Sequence, residues 1–528
     1  MKISILSCLL AGVLLFCTAC TSKAEPPQTP AVTTTTESRP KPYDPSTQTE
    51  TVQVCYAVGN LGGKIHGELT QTLSPADPVA SNVQAEAELG YRFLCWSDGS
   101  TDPMRFGDSF AEDTTVVAYF EIDYRNLPAL CLSTEVSRNE ITREAYVSGS
   151  LSISGSSLPR SEQITDLATE VRGRGHGSWT YQKKGWKLKL SESQSLLGLG
   201  KGKSREWVLI ANQVDRSLLR NAAATWIQNQ VDLIWASDYA FVDLYLNGEY
   251  MGVYQLYEHI EEDENKVSVP MGTPEDVSYF AEISVYAEAP MVRCMDHLYA
   301  IHSELPEKNT EEYLDAINDH LLACFFAARS GDYEAVNALI DIASVVDAYI
   351  VEELTKNLDA GWDSFYLYRQ SGGKLTFGPL WDFDMSSGNV TADKSSVCHL
   401  TFEKPQGLYP GNTMAGMDHQ QNEWFQLLMK TDWFVELVKI RWQELSPKMA
   451  ELPDLLLQTG STYQAAFERN FQKWTIFTWR LTTEADVILT LDSYEKQLCY
   501  LADWYRDRIA WLDLEWGDGE DAEAVEPV

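Results

Sequence analysis

The sequence has few basic residues for its length. Its 528 residues include 41 lysines and arginines against 77 aspartates and glutamates, which gives a formal net charge of −36 at pH 7. A protein that grips phosphate backbones needs a basic surface, so this balance argues against a nucleic-acid partner. It also argues against charge-driven binding to an anionic membrane. We therefore expect an acidic extracellular surface.

Cysteine is scarce after the first twenty residues. The seven that follow are scattered and contain no Cys-x-x-Cys pair, so they do not make up a disulfide framework. Cys55 and Cys95 fall within one small predicted domain, where they either form a disulfide or remain buried thiols. The seven are Cys55, Cys95, Cys131, Cys294, Cys324, Cys398 and Cys499.

Long apolar runs are missing beyond the N-terminus, so no later segment is predicted to span a membrane. The first twenty residues, MKISILSCLLAGVLLFCTAC, combine Lys2, an apolar run and small residues, which is typical of a secretory signal peptide. Their end resembles a bacterial lipobox, although Cys17 stands where leucine is usual. The resemblance implies a lipoprotein held through lipid at Cys20 on the extracellular side of a bacterial membrane, with secretion as the alternative.

Composition divides the remaining chain into four segments. Residues 21–50 are rich in Thr, Pro and Ser, which predicts a disordered tether, and residues 517–528 are an acidic, disordered tail. Residues 51–122 contain short alternating apolar runs, which predict a small all-β domain. Residues 127–516 mix strands and helices, so the fold class is α+β, with a mostly helical part after about residue 423.

Within 127–516 the periodicity predicts individual elements. The Asn247-Gly248 pair is a strong hairpin signal between two of the strands. Predicted strands cover 127–132, 147–153, 168–172, 185–190, 207–211, 241–247 and 252–258, predicted helices cover 217–230, 310–327 and 333–354, and a second hairpin covers 365–369 and 374–377.

The β-rich segment contains GYRFLCWSDG followed by DTTVVAYFE. These stretches resemble the small β repeat domains of bacterial surface proteins, of the Listeria–Bacteroides or internalin-B type. One copy is visible, and the resemblance implies a spacer or adhesion module. We predict that its aromatic residues form the domain core, namely Tyr91, Phe93, Trp96, Tyr119 and Phe120.

Two glycine-rich stretches lie beside basic residues. Residues 170–179 read EVRGRGHGSW and residues 198–204 read GLGKGKS, and neither completes a G-x-G-x-x-G motif or a P-loop. Glycine lets backbone amides approach a ligand, and arginine offers a planar fork for phosphate. Each stretch therefore predicts either an anion-binding loop or a simple turn.

The strand predicted after the first stretch, in YQKKGWKLKL, carries several lysines. Lys187 and Lys189 share one face, opposite Trp186, Leu188 and Leu190. In a chain this acidic, lysines beside a Gly-Arg loop suggest an anionic ligand. The alternative is that they are solvated on an edge strand.

A further polar stretch, WVLIANQVDRSLLRN, follows a predicted buried strand. The helix predicted over 217–230 begins at a serine cap. Asp215 either interacts with the dipole of this helix or forms an ion pair with Arg220.

Two acidic segments follow one another before the helical part. Asn357, Asp359 and Asp363 lie in ELTKNLDAGWDSFYLYR, and Asp382 and Asp384 lie in GPLWDFDMSSGN. Carboxylates at i and i+2 at a strand end can point at one hard cation, and the alternative is an exposed turn where they are solvated. A loop, a hairpin and a second acidic turn is also the arrangement of protein kinases.

Together these stretches resemble the CotH family, named for spore coat protein H, an atypical secreted protein kinase. VRGRGHGSW, KGWKLKL, WVLIANQVDRSLLRN, LYLNGEYMGVYQLYEHI and the two acidic segments occur in the family's order within about residues 127–515. The resemblance implies an atypical protein-kinase-like fold that uses ATP and Mg²⁺. It also implies phosphorylation of Ser or Thr on secreted or surface proteins.

Carried over by position, the resemblance implies roles for particular residues. Asp359 is the catalytic-loop acid, Asp384 is both catalytic and a metal ligand, and Asp382 and Asn357 are further metal ligands. Glu258 orients a lysine. The basic residues that neutralise phosphates are Arg172, Arg174, Lys187, Lys189 and Arg220.

The sequence departs from the family pattern at two positions. Ser364 stands where members often have the Asn that binds a second magnesium ion, so either Asn357 or Asp363 takes that role or activity is impaired. His176 stands where the family often has Asn. Impaired activity defines the alternative function, a non-catalytic module that binds a surface protein or cell-wall glycan. A carbohydrate-active enzyme with a carboxylate pair is a third class, but it leaves the Arg, Lys and Gly clusters unexplained.

Overall fold

The computed structural model describes residues 41–124, 127–155, 158–200, 202–284, 286, 289–391, 403–408, 422–481 and 483–517. The predicted signal peptide and lipid anchor, most of the tether, Cys398 and the tail from residue 518 lie outside them. The chain divides into two units, Met1–Glu86 with Phe93–Phe120 and Ala87–Arg92 with Glu121–Val528. The domain boundaries proposed from composition stay predictions.

The part of the chain before residue 123 is built from β-strands. They form a four-stranded sheet in the order β3-β1-β7-β5 and a three-stranded sheet in the order β2-β4-β6. Trp96 and Phe120 are buried, whereas Tyr91, Phe93 and Tyr119 are half-buried, and Cys55 and Cys95 form no disulfide. The strands are β1 Val52–Val58, β2 Gly63–His66, β3 Thr70–Leu73, β4 Val83–Ala87, β5 Tyr91–Trp96, β6 Met104–Arg105 and β7 Thr114–Ile122.

The larger unit begins with a closed barrel in the order β10-β11-β12-β14-β13-β8-β9. Asn247 and Gly248 join β13 to β14 with φ of 52° and 80°, as the predicted hairpin turn requires. The strands are β8 Ala129–Thr134, β9 Val147–Ser154, β10 Ile164–Arg174, β11 Gly185–Gln194, β12 Ser204–Ile210, β13 Tyr239–Leu246 and β14 Glu249–Glu258.

Strand β11 confirms the predicted alternation. Trp186, Leu188 and Leu190 are buried in the barrel core, and Lys187 and Lys189 are half-buried on the opposite face. Because β11 pairs with both β10 and β12, it is not an edge strand, and the alternative reading of the lysines is wrong.

The second half of the larger unit packs helices around a five-stranded sheet in the order β16-β17-β15-β18-β19. The fold class is therefore α+β, with the predicted helical C-terminal part. No helix among the described residues is long and apolar enough to cross a membrane. The elements are α1 Arg220–Gln228, β15 Tyr279–Ile283, β16 Met291–Cys294, β17 His297–Ile301, α2 Thr310–Ser330, α3 Tyr333–Leu339, α4 Ile342–Thr355, β18 Phe365–Arg369, β19 Thr376–Leu380, α5 Glu423–Leu428, α6 Asp432–Met449, α7 Leu452–Thr462, α8 Gln464–Lys473, α9 Asp486–Thr490 and α10 Tyr494–Trp516.

Two predicted helices differ from the observed ones. The segment 333–354 forms two helices, because Ile340 is extended and bridges to Leu375, and Asp341 then caps α4 by accepting a hydrogen bond from the Ser344 N–H. Helix α1 begins at Arg220 and not at Ser217. The Ser217 hydroxyl accepts a hydrogen bond from the Leu219 N–H at 3.2 Å, so it stabilises the turn that precedes the helix.

Candidate functional site

The second acidic segment forms a tight turn after β19. Asp382 has a φ of 65°, in the left-handed region that residues other than glycine rarely adopt. Phe383 is buried in the core, whereas Asp382 and Asp384 on either side of it are half-buried. The Phe383 N–H donates to Asn221 Oδ1 at 2.8 Å, and Asn389 Nδ2 donates to the Asp384 carbonyl at 2.6 Å. Backbone contacts therefore fix the turn, and within the described part of the chain neither carboxylate takes part in a hydrogen bond.

The first acidic segment follows α4 and is joined directly to this turn. The Leu358 N–H donates to the Met385 carbonyl at 3.1 Å. Asn357 is buried, and its Oδ1 accepts a hydrogen bond from the Asp359 N–H at 3.2 Å. The Asp359 carbonyl in turn accepts from the Trp362 N–H at 2.8 Å. The structure thus brings Asp359 to the Asp382–Asp384 turn, as the sequence predicts.

The carboxylates of the two segments raise one another's pKa. Burial, followed by the charges of Asp382 and Asp363, raises the pKa of Asp359 to about 7. The pKa of Asp384 lies well above its usual range because of burial and the charges of Asp382, Asp359 and Asp215. Burial also raises the pKa of Asp382, and Arg174 opposes this shift. A concentration of negative charge that one arginine offsets only in part is a setting that favours a bound cation.

The Gly-Arg stretch reaches the acidic residues from the barrel. Burial and the charges of Asp384, Asp359 and Asp382 raise the pKa of Tyr181 to about 12. Arg174 ends β10, and its guanidinium carbon lies 5.8 Å from the centre of the Trp381 ring. The start of the loop that follows β10 therefore lies beside the acidic turn.

This loop has two further aromatic contacts. The His176 ring stacks on Tyr286 with the ring centres 3.7 Å apart, and Tyr181 packs edge-on against Trp479 at 4.9 Å. Gly173, in β10 just before the loop, leaves space for the Trp179 side chain, because a Cβ there would lie 2.2 Å from the Trp179 ring. Gly198 and Gly200, from the other glycine-rich stretch, lie between β11 and β12 and have positive φ.

The basic residues of β10 and β11 form a cationic patch on the outer face of the barrel, which we define as Arg172, Lys187 and Lys189. Arg172 lies opposite Lys187 in the strand register, and Arg172 and Lys189 both contact the Tyr146 ring. Lys187 Nζ forms an ion pair with Glu206 Oε2 at 2.6 Å. Burial lowers the pKa of Lys187, and Glu206 opposes this shift.

Arg174 connects the cationic patch to the acidic site. It lies two residues after Arg172, on the same face of β10, and its guanidinium contacts the ring of Trp381, the residue before Asp382. The structure therefore brings four of the five predicted phosphate-binding residues to one face of the barrel, namely Arg172, Arg174, Lys187 and Lys189.

Arg220, the fifth, is a correction. It is fully buried, and its Nη1 forms an ion pair with Asp215 at 2.5 Å. Its Nε donates to the Ser386 carbonyl at 2.9 Å and its Nη2 to the Ser387 carbonyl at 3.3 Å. With every guanidinium nitrogen engaged inside the protein, Arg220 supports the acidic turn and is not available to phosphate. The alternative ion pair with Asp215 is confirmed.

Glu258 is the second correction. Lys187 is held by Glu206 on the neighbouring strand, and the lysine that affects the pKa of Glu258 is Lys266. Among the described residues no group bonds to Glu258 Oε2. Glu258 therefore does not orient a lysine of the cationic patch.

The structure distinguishes between the two residues proposed to replace the missing Asn at position 364. Ser364 has a φ of 59°. Asp363 accepts a hydrogen bond from the Ser284 hydroxyl at 2.6 Å, and its charge raises the pKa of Asp359. Asn357 is buried, and its side-chain oxygen already accepts a hydrogen bond from the Asp359 N–H of its own loop. Of the two, Asp363 is better placed beside Asp359 and Asp382.

The donor set fits magnesium bound together with a nucleotide. Within the described part of the chain, no group of three or more His, Cys, Asp or Glu side chains is arranged to hold a metal ion by itself. Magnesium is usually bound through one or two carboxylates, with water and substrate phosphates as its other ligands. Asp382 and Asp384 supply such a pair.

Sequence reasoning missed four residues of the site. Tyr181, Glu206 and Asn221 lie in or beside the stretches discussed above, but their roles depend on partners far away in the chain. Tyr286 lies in no motif, and only the stack on His176 reveals it.

The α+β fold and an acidic turn beside Arg174 fit a kinase-like protein. The family model for CotH kinase protein matches residues 171–512, which is more than half of the chain. The chain therefore belongs to the CotH family. No curated protein matches it significantly. The resemblance of residues 51–122 to surface repeat domains stays a prediction.

Proposed function

We propose that this protein is an active CotH-type kinase that transfers the γ-phosphate of ATP to Ser or Thr hydroxyls of secreted or surface proteins. One observation carries the proposal: the loop that contains Asp359 is hydrogen-bonded to the Asp382–Asp384 turn, and Arg174 contacts the Trp381 ring at the start of that turn. Phosphoryl transfer needs carboxylates for a cation and a base together with cations for phosphates, and this site contains both sets.

Each set has a role in the proposed reaction. Asp382 and Asp384 would hold magnesium, which neutralises phosphate charge when bound. Asp359 accepts the proton of the acceptor hydroxyl, a role suited to a carboxylate whose pKa burial raises to about 7. Arg174 and the cationic patch bind the phosphate oxygens through charge-assisted hydrogen bonds.

The location of the protein is also part of the proposal. The signal-peptide pattern and the lipobox-like end at Cys20 support a lipid-anchored protein on the extracellular side of a bacterial membrane. Its substrates would then be proteins of the surface or the secreted fraction.

A second candidate function is a non-catalytic module with the same fold. Ser364 favours it, because a hydroxyl is a weaker magnesium ligand than an amide oxygen. Such a module would bind a surface protein or a cell-wall glycan and transfer no phosphate.

Incubation of the purified protein with magnesium and labelled ATP tests the proposal. We expect autophosphorylation that Asp359→Asn abolishes while nucleotide binding survives. Nucleotide binding without transfer in the wild type would support the non-catalytic module. A wild type that neither binds nucleotide nor incorporates label would refute the kinase.

A further inference from the structure

A chain of buried amide groups runs from the acidic turn into the barrel. The Phe383 N–H donates to Asn221 Oδ1 at 2.8 Å, and Asn221 Nδ2 donates to Asn212 Oδ1 at 3.0 Å. Asn212 Nδ2 donates to Gln255 Oε1 at 2.6 Å. All four residues are buried. We call Phe383, Asn221, Asn212 and Gln255 the amide relay; it connects strand β14 to the segment that contains Asp382 and Asp384.

The direction of the relay is fixed at its acidic end. A backbone N–H can only donate, so Asn221 must present its oxygen to Phe383 and its NH₂ group to Asn212. The same reasoning applies to Asn212 and then to Gln255. Among the described residues no group accepts a hydrogen bond from Gln255 Nε2, which is fully buried. Gln255 must present its oxygen to Asn212 if the relay is to accept from the Phe383 N–H, and this orientation leaves its amide nitrogen without an acceptor. A buried polar group without a hydrogen-bond partner is unfavourable and calls for a functional explanation.

The relay acts on the peptide that follows Asp382. Asp382 is in the left-handed region, where a non-glycine residue persists only if its surroundings hold it. The neighbouring Arg220 donates to the Ser386 and Ser387 carbonyls on the other side of Asp384. Residues in the first turn of α1 therefore form hydrogen bonds with the acidic turn on both sides of Asp384.

We propose that Asn221 is a positioning residue for the cation-binding pair. It holds Asp382 in the left-handed conformation, so that Asp382 and Asp384 both stay beside Asp359. Through Asn212 and Gln255, the barrel strand β14 contributes to this geometry. The inference rests on the proposed function, because the cation is the magnesium that the kinase reaction requires.

The variants Asn221→Ala and Thr225→Ala test the inference. Thr225 is a matched control, since it lies one turn further along α1, is buried and lines the same cavity as Asp382, but its hydroxyl contacts the Tyr257 hydroxyl at 3.4 Å and, among the described residues, forms no hydrogen bond to the acidic turn. The first measurement is hydrogen exchange of a peptide spanning residues 381–385. We expect faster exchange in Asn221→Ala and unchanged exchange in Thr225→Ala.

The second measurement is a calorimetric titration of Mg²⁺ into protein saturated with a non-hydrolysable ATP analogue, corrected for Mg²⁺ binding to the free analogue, which needs no kinase activity. We expect the apparent dissociation constant to rise about tenfold in Asn221→Ala and to change less than about twofold in Thr225→Ala. Gln255→Leu should weaken Mg²⁺ binding in the same direction, although Gln255 touches neither carboxylate. The double variant Asn221→Ala/Gln255→Leu should be no weaker than Asn221→Ala, because the relay is already broken.

The outcomes separate this inference from the proposed function. Wild-type Mg²⁺ affinity in a folded Asn221→Ala would overturn the positioning role and leave the kinase proposal intact. If Asn221→Ala does not fold, Gln255→Leu carries the test, and unchanged Mg²⁺ affinity in that variant overturns the inference. A wild type without any Mg²⁺ response would refute the metal site, and faster exchange alone would then assign Asn221 a purely structural role.

Discussion

Single residues show how this site combines negative and positive charge. Asp384 is half-buried among carboxylates, and its pKa lies well above its usual range because of burial and its neighbours. Lys187 shows the opposite effect, since burial lowers its pKa and Glu206 offsets part of that shift. Both groups have an unfavourable charge that a ligand of opposite sign would relieve. Substitution at either place should therefore affect ligand binding more than folding.

We expect Asp384→Asn to leave the ligand-free protein as stable as the wild type, or slightly more stable, because one repelling charge is gone. The same change should abolish the rise in melting temperature that magnesium and ATP produce, since a ligand bound by the native state stabilises it by mass action. Differential scanning fluorimetry measures both effects. Asp319→Asn, at an exposed position on α2, is the control and should keep the response. A retained response in Asp384→Asn would exclude Asp384 from the cation site.

The ion pair between Lys187 and Glu206 gives a second prediction at this scale. Glu206→Gln should weaken ATP binding about tenfold, because Lys187 loses the charged partner that holds it at 2.6 Å. Glu258→Gln should leave ATP affinity unchanged, since Glu258 does not contact the cationic patch. Calorimetric titration with ATP distinguishes the two variants. The reverse ranking would restore Glu258 as the residue that orients a lysine.

At the scale of elements, local patterns predicted most of the strands and helices. The alternation in β11 depends only on which residues are apolar, and the turn at Asn247-Gly248 depends only on two residues that tolerate positive φ. The split between α3 and α4 was missed because the pairing of Ile340 with Leu375 is a tertiary contact. Periodicity continues through Ile340, and it outweighed the local signal that Asp341 gives as a residue type favoured at helix N-caps.

The site was predicted less completely than the fold. The acidic pair and the Gly-Arg loop were found from spacing and resemblance, because those features are contiguous in the sequence. The hydrogen bond from Phe383 to Asn221 joins residues 162 positions apart, and the one from Ser284 to Asp363 spans 79. Arg220 was misassigned for the same reason: its carbonyl acceptors, Ser386 and Ser387, belong to the other segment.

The packing of Trp179, in the loop after β10, against Gly173 of that strand gives a prediction at the scale of elements. In Gly173→Ala the new methyl group would lie 2.2 Å from the Trp179 ring, so Trp179 and the loop must shift. We expect a loss of about 1–3 kcal/mol in the free energy of unfolding, together with weaker ATP binding. Gly177→Ala is the matched control, because nothing lies within 4 Å of its Cβ position and its φ is not in the left-handed region. Urea denaturation and ATP titration of both variants check this, and equal behaviour would refute the role of Trp179 packing.

At the scale of the whole molecule, every proposed site residue lies in one of the two units. All of them, from Arg172 to Asp384, belong to Glu121–Val528, and the residues 87–92 belong to the same unit. Tyr245 in β13 donates through its hydroxyl to the Gly90 carbonyl at 2.6 Å. The segment 87–92 is therefore part of the support of the barrel, although it lies within the sequence range predicted for the small β domain.

A variant that starts at Tyr124 should keep its affinity for ATP but lose stability. Removing residues 87–92 leaves the buried Tyr245 hydroxyl without its acceptor, which costs about 1–3 kcal/mol. Tyr245→Phe should recover part of that loss in the shortened protein, whereas it should destabilise the full chain. Chemical denaturation of the four proteins gives the comparison. Loss of ATP binding in a folded variant starting at Tyr124 would mean that residues before 124 contribute to the site.

The net charge of the whole chain allows an all-or-none test of the predicted membrane anchor, in which the protein either stays with the membrane fraction or leaves it. With a net charge of −36 the protein is repelled by anionic lipids, and no helix among the described residues can cross a membrane. Lipid at Cys20 would then supply the attachment, because each buried CH₂ group contributes about 0.8 kcal/mol to membrane binding. We expect Cys20→Ala to move the protein from the membrane fraction to the soluble fraction of fractionated cells. Cys17→Leu, which installs the residue usual at that position, is the control and should remain with the membrane. If Cys20→Ala stays with the membrane, the anchor lies elsewhere in the chain and the lipoprotein proposal fails.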